Sequence, residues 1–202
     1  MTQIILAGIG TEIGKTVVAS ILTEALEADY WKPIQAGGLD FSDTHVVKSL
    51  VSNKKSKFHP EAFLLKQPLS PHAAAAIDGV KINIKDFEMP QTNNNLVIEL
   101  AGGLMVPLND RMTNMNLIQW LGLPVVLVSK NYLGSINHTL LSIEALQKQQ
   151  VIIKGVIFNG ESNEASENFI LNYSGVRCLG RVAWEEKLTK EVIKQKAKEF
   201  RF

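Results

Sequence analysis

The chain lacks the features that would place it in several large classes. It holds one cysteine, Cys178, which excludes an internal disulfide framework and a multi-cysteine zinc site and suits a reducing compartment. Cys178 falls in the apolar run Val176–Val182, so it reads as a buried strand thiol. Charge of one sign is also missing. The 21 Lys and Arg against 20 Asp and Glu leave a net charge of +1, without the basic excess that a nucleic-acid binder needs. No apolar run approaches the ~18 residues of a membrane span. The opening MTQIILAG has neither a basic n-region nor a long apolar stretch, so no signal peptide is read and the cytoplasm is the expected compartment. No repeat or low-complexity linker divides the 202 residues, and one domain over 1–202 is expected. No Ser-His-Asp or Cys-His arrangement is evident.

What is present is strand–helix alternation. Strands are expected at Ile4–Ala7, Tyr30–Ile34, Leu96–Leu100, Pro124–Ser129, Val151–Asn159 and Val176–Val182. Val17, Val18, Ile21, Leu22, Ala25 and Leu26 recur at helical spacing, and further helices are expected over about 135–149 and 188–200. The strand runs are continuously apolar, as in strands covered on both faces. The fold class is therefore α/β, a doubly wound, mostly parallel sheet with helices on both faces. Ligands of such sheets lie beyond the carboxyl ends of the strands. Residues 52–95, with their prolines and the polar run Gln91–Asn95, are expected to form loops with one or two short helices.

The segment GIGTEIGKT, residues 8–16, follows a strand and opens a helix. Glycines let backbone N–H groups turn toward an anion, and the helix N-terminus adds positive potential. Lys15 can reach the β and γ phosphates of a nucleotide, and the Thr16 hydroxyl can bind Mg²⁺. The loop is one residue longer than the common G-x-x-x-x-G-K-[ST] pattern, with Ile9 where the first glycine would sit. Glu12, an acid among phosphates, should point away or neutralise a cation.

Other candidates sit after strands. Glu99 follows the apolar run Leu96–Ile98 shortly before Gly102 and Gly103, where a Mg²⁺ ligand is needed beside a phosphate loop and glycine permits close approach. Lys32, in YWKPIQAGG, could spread transition-state charge or be an ordinary surface lysine. Asp43 is either a helix N-cap or a second metal ligand. Asn159-Gly160 is a turn signal that could also read a base edge. The Gly134-Ser135 start of GSINH offers helix N–H groups to a carboxylate. His72, in SPH, reads as structural.

Taken together, GIGTEIGKT, KPIQ, the Ser-Asp pair ending at Asp43, SPH, ELAGG with VPLND, LGSINH and Asn159 resemble the dethiobiotin synthetase family, in its order and at its spacing over about residues 4–184. The longer phosphate loop is part of that family's pattern. The resemblance implies an ATP-dependent enzyme that joins 7,8-diaminononanoate and CO₂ or bicarbonate, through a carbamate and a carbamic–phosphoric anhydride, into a cyclic urea. It implies that Lys15 and Lys32 act on phosphate and carbamate, and that Thr16, Asp43 and Glu99 hold Mg²⁺. Glu12, Ile13, Gly14, Lys15, Thr16 and Val17 should wrap the ATP phosphates near Gly102, with Asn159 and Ala183 at the adenine. Lys32 and Gln35 should meet the diamine, whose carboxylate should lie against Gly134, Ser135 and Asn137 of the partner subunit in a homodimer. No nucleic-acid or membrane partner is implied. The chain departs from the family pattern at Ile9 and Gly10, Ala36, Leu100 and Ala183, where a Thr-Asp pair, a hydroxyl residue, a glycine and a proline are usual.

Two other readings stay open. One is an ATP-switched partition or division-site ATPase of the same fold. The basic segment Lys187–Arg201, with six basic and two acidic residues, could form a membrane-surface helix or a final helix packed on the sheet. Those switches usually carry a signature lysine four residues before the glycine of GKT, where this chain has Gly10. The other is a small-molecule kinase, which would leave a phosphorylated product.

Overall fold

The computed structural model describes residues 1–200. The main sheet contains β1 (Gln3–Gly8), β2 (Asp29–Trp31), β4 (Phe58–His59), β6 (Leu96–Gly103), β7 (Val125–Lys130), β8 (Ile153–Asn159) and β9 (Cys178–Val182). Their spatial order is β4-β2-β6-β1-β7-β8-β9, and every neighbouring pair is parallel. This is the doubly wound parallel sheet expected from the apolar runs. β1 lies at its centre; the connection after β1 leads to β2 in one half and the connection after its neighbour β6 leads to β7 in the other, and such a divergence is where these sheets form their ligand crevice.

Both faces are buried because successive side chains point to opposite sides. Ile4, Leu6, Tyr30, Val97, Val126 and Ile157 pack into one apolar cluster with Val18, Ile21 and Leu22 of α1 (Lys15–Ala25) and Val47 of α2 (Asp43–Leu50). Ile5, Ala7, Trp31, Ile98, Leu127 and Phe158 form the other cluster, closed in part by α4 (Asn114–Leu121), α5 (Ser135–Lys148) and α6 (Glu164–Ser174) through Leu117, Leu146 and Ile170. Each fully buried Leu, Ile or Val side chain is worth roughly 1.5–3 kcal/mol of transfer free energy, so the site rests on a stiff floor.

The expected strand Tyr30–Ile34 is two strands. β2 stops at Trp31 and β3 (Ile34–Ala36) pairs instead with β5 (Phe63–Leu65) in a small second sheet. Pro33 has no N–H to extend the first ladder, so Lys32 sits at the step between the sheets. β6 runs three residues beyond its expected end, through both glycines. Within 52–95 the structure has the short strands β4 and β5, the helix α3 (Pro71–Asp78) and a single 3-10 turn at Ile84–Asp86.

One expectation needs correction. Cys178 is exposed, not buried, because it begins β9, an edge strand with a neighbour on one side only. The basic C-terminal segment forms α7 (Lys190–Ala197), whose Ile193 and Ala197 are buried in the α1 face of the core together with Phe200. Its apolar face is thus covered by the protein itself; Arg201 lies outside the described residues. Among those residues no helix is long and apolar enough to cross a membrane.

Candidate active site

The phosphate loop leaves β1 at Gly8 and enters α1 at Lys15. Gly14 takes φ +86°, and a Cβ there would lie 2.1 Å from Asn159 Nδ2. The left-handed backbone favours glycine, and a side chain here would displace the Asn159 amide. Glu12 also takes a positive φ, 56°, and is exposed on the loop. Gly10 has open space where a side chain would project, and its carbonyl accepts from Lys15 Nζ at 2.8 Å. The lysine is buried, which lowers its pKa to about 8 against the opposing pull of the Glu99 carboxylate.

Beside the loop, three oxygens converge from three elements. Thr16 Oγ1, on the first turn of α1, lies 3.0 Å from Asp43 Oδ1 and 3.0 Å from Glu99 Oε1. A hydroxyl has one proton and cannot donate fully to both carboxylates. An all-oxygen set of a hydroxyl and two carboxylates suits a hard divalent cation that keeps other positions for water and phosphate. Asp43 is the first residue of α2 and does not cap it. Ser42 occupies the N-cap, which frees the Asp43 carboxylate for the site.

Lys32 lies between the same two carboxylates. Its ammonium pairs with Asp43 Oδ2 and lies 3.3 Å from Glu99 Oε1. Burial acts to lower the Lys32 pKa, but Glu99 and Asp43 outweigh it and hold the group above its ordinary value. Burial acts to raise Asp43, and Lys32 more than offsets it, leaving that carboxyl below its usual range. Two lysines thus face two carboxylates at the mouth of β1, β2 and β6.

These groups line a cleft of about 870 Å³. Thr11, Glu12, Gln35, Ala36, Ser70, Pro71 and Gly102 also border it. Gln35 accepts from the Asp43 N–H at 3.3 Å and donates to the Gly37 carbonyl at 2.9 Å. His72 is exposed, with Nδ1 3.0 Å from Ser70 Oγ. Leu100 turns into the opposite core cluster and does not line the cleft.

Other sequence candidates lie outside this cleft. Asn159 ends β8 and donates from Nδ2 to the Ile13 carbonyl at 2.9 Å; it braces the back of the loop. Ala183 is exposed just after β9. Ser135 is buried, and its Oγ accepts from the Tyr132 N–H at 3.3 Å, so its hydroxyl serves the turn. Gly134 and Asn137 are exposed around the start of α5.

Two site residues escaped the sequence reading. The Tyr30 hydroxyl donates to Glu99 Oε2 at 2.8 Å. Asn114, 1% exposed, donates from Nδ2 to the carbonyls of Ala101 at 2.6 Å and Gly103 at 2.9 Å, fixing the glycine end of β6. Tyr30 was legible only as a strand residue, and nothing local marks Asn114.

The sequence model of a family described as AAA domain matches residues 2–192. ATP-dependent dethiobiotin synthetase BioD of Christiangramia forsetii is 53% identical over 196 residues, covering 97% of this chain and 94% of the relative. The protein of the same name from Cytophaga hutchinsonii is 48% identical, covering 96% and 94%. That from Agrobacterium fabrum is 41% identical, covering 96% and 91%. Solved structures that resemble the fold include a ParA family ATPase from Chlorobium tepidum, with TM-score 0.60 at 10% identity over 97% of this chain and 98% of that one. The cell division ATPase MinD of Pyrococcus furiosus gives TM-score 0.54 at 14% identity over 98% of each chain. At such identities the likeness shows a shared fold alone. The relatives that match at 41–53% identity span nearly the full length, and the chain belongs to the ATP-dependent dethiobiotin synthetase family.

Proposed function

We propose that the cleft uses ATP to carboxylate 7,8-diaminononanoate with CO₂ and close the product to dethiobiotin, releasing ADP and phosphate. The observation that carries this reading is the convergence of Lys15, Lys32, Thr16, Asp43 and Glu99 at one strand mouth. One amine of the diamine adds to CO₂ and loses a proton, giving a carbamate. A carbamate oxygen attacks the γ-phosphorus of ATP and ADP leaves. The second amine then attacks the carbamoyl carbon, expelling phosphate and a proton as the cyclic urea closes.

Each step asks the protein for position and charge rather than a side-chain nucleophile. The loop N–H groups from Glu12 through Val17 and the Lys15 ammonium hold the phosphates. Lys32 is placed to exchange its carboxylate contacts for the carbamate and the transferring phosphoryl oxygens, offsetting charge as it develops. Thr16, Asp43 and Glu99 would hold Mg²⁺, which neutralises the phosphate oxygens when bound. Gln35 meets the diamine beside Lys32, and Ala36 lines that wall without a hydroxyl. Asn159 and the backbone at Ala183 border the adenine. A homodimer would bring Gly134, Ser135 and Asn137 of a second subunit to the substrate carboxylate, mainly through the open first turn of α5.

The test is phosphate release by purified protein with MgATP, adding diamine and bicarbonate separately and together. Release that requires both supports the reading, and release indifferent to the diamine overturns it. The burial of the apolar face of α7 weighs against a membrane-binding switch.

A further inference from the structure

Glu99 makes different use of its two carboxylate oxygens. Oε1 faces the cleft, 3.0 Å from Thr16 Oγ1 and 3.3 Å from Lys32 Nζ. Oε2 turns inward, where the Tyr30 hydroxyl, 2.8 Å away, is its partner among the described residues. Tyr30 is 0% exposed and Glu99 1%. The tyrosine ring is locked between the sheet and α1 and α2, in the apolar cluster that contains Val18 and Val47. Neither side chain has room to change rotamer without disturbing that packing. The contact binds a carboxylate on β6 to a phenol on the neighbouring strand β2, where Tyr30 pairs with Val97.

We propose that Tyr30 is a positioning residue that reserves Glu99 Oε2 and thereby limits Glu99 to one-oxygen binding of the cation. This inference rests on the reading of Glu99 as a metal ligand. A carboxylate with both oxygens free readily binds Ca²⁺ through both, at the longer distances and higher coordination number that Ca²⁺ accepts. Mg²⁺ demands near-octahedral geometry at short distance, which a carboxylate presenting a single fixed oxygen meets. Hydrogen bonds that orient a ligand in this way typically govern metal affinity by about 10–100-fold. The Tyr30 hydroxyl therefore sets which divalent ion the cleft prefers, although it touches neither nucleotide nor metal.

The experiment is a titration of the full chain with Mn²⁺ in the presence of ADP, followed by paramagnetic resonance, with Mg²⁺ and Ca²⁺ as competitors. In Tyr30→Phe the ring is kept and the donor lost. The expected result is an affinity for Mg²⁺ at least about tenfold weaker and a clear rise in the Ca²⁺-to-Mg²⁺ affinity ratio, with an unchanged circular dichroism spectrum. A variant with native Mg²⁺ affinity and a native ratio overturns the proposal. Glu99→Gln separates the two levels. If it binds Mn²⁺ as the native protein does, Glu99 is no ligand and the underlying reading fails with the proposal. If it loses Mn²⁺ while Tyr30→Phe behaves as native, only the role of Tyr30 fails. Should Tyr30→Phe not fold, a crystal structure of the native chain with Mn²⁺ and ADP decides. One-oxygen coordination by Glu99 with the Tyr30 contact intact supports the proposal, and two-oxygen coordination overturns it.

Discussion

The side-chain amide of Asn159 donates to the Ile13 carbonyl over 2.9 Å, tying the end of β8 to the phosphate loop 146 residues away in sequence. Ile13 anchors the loop in the core cluster on the α1 face, while Thr11 and Glu12 are exposed. This bond and the contact of Asn159 with Gly14 supply a fixed back wall. In Asn159→Ala the Ile13 carbonyl loses its donor, a change worth about 1–2 kcal/mol. Nucleotide affinity should therefore fall by roughly 5–30-fold. Calorimetric titration with ATP checks it, and native affinity in the variant would detach Asn159 from the loop's function.

Gly14→Ala should be more severe. The left-handed backbone alone costs an alanine about 1–2 kcal/mol, and its Cβ would collide with Asn159. To relieve the clash either the Asn159 amide swings away and gives up its bond to the Ile13 carbonyl, or the loop moves and carries its N–H groups out of register. The expected outcome is loss of the thermal stabilisation that MgATP confers. A variant whose melting temperature still rises with MgATP as in the native chain would show that the loop tolerates the displacement.

Lys32→Gln removes the cation between Asp43 and Glu99 and leaves two carboxylates facing each other. Breaking a buried pair in this way typically costs about 3–5 kcal/mol. The variant should melt lower than the native chain without divalent ions and recover more than the native chain on adding Mg²⁺, which replaces the missing charge. Its diamine-dependent phosphate release should stay down by about 10²-fold or more even when Mg²⁺ restores folding. Thermal scans with and without Mg²⁺, alongside turnover, separate these effects. Near-native turnover would remove Lys32 from the chemistry.

Acid stability should depend on Asp29, at the opposite end of β2 from the cleft. Burial acts to raise its pKa, but hydrogen bonds from the Lys57 N–H, Thr92, His59 and Asn94 outweigh it and hold the carboxyl below its ordinary value. Glu24 is lowered in the same way, with burial offset by Ser52 and Asn53. A carboxyl depressed in the folded state stabilises above its unfolded pKa and loses that contribution as pH falls toward its folded pKa. Stability should therefore decline from about pH 5 downward. Asp29→Asn should be less stable at pH 7 and show a shallower decline. Urea unfolding at pH 7, 5, 4 and 3 measures both; parallel declines would contradict the assignment.

The elements that carry the chemistry were largely legible because they sit at strand ends with local signals. GKT opens a helix after an apolar run, Glu99 interrupts one, and Pro33 follows Lys32. Pro33 has no N–H for the first ladder, so the chain leaves β2 and joins a second sheet, which the residue pattern of Tyr30–Ile34 does not reveal. Asp43 stayed ambiguous because Ser42 and Asp43 are both good N-caps, and only the backbone decides between them. Tyr30 and Asn114 act through partners 69 and 13 or fewer residues away, respectively. No local pattern encodes those contacts. Cys178 was misread because apolar runs mark strands but do not tell a central strand from an edge.

In the proposed reaction the phosphoryl group of ATP passes through a carbamate on its way to free phosphate. A single turnover of the protein with MgATP, diamine and ¹³C-bicarbonate, resolved by mass spectrometry, tests it most directly. One labelled carbon in a cyclic urea is expected for each phosphate released. A phosphorylated diamine without label, or phosphate formed with no labelled product, would contradict it.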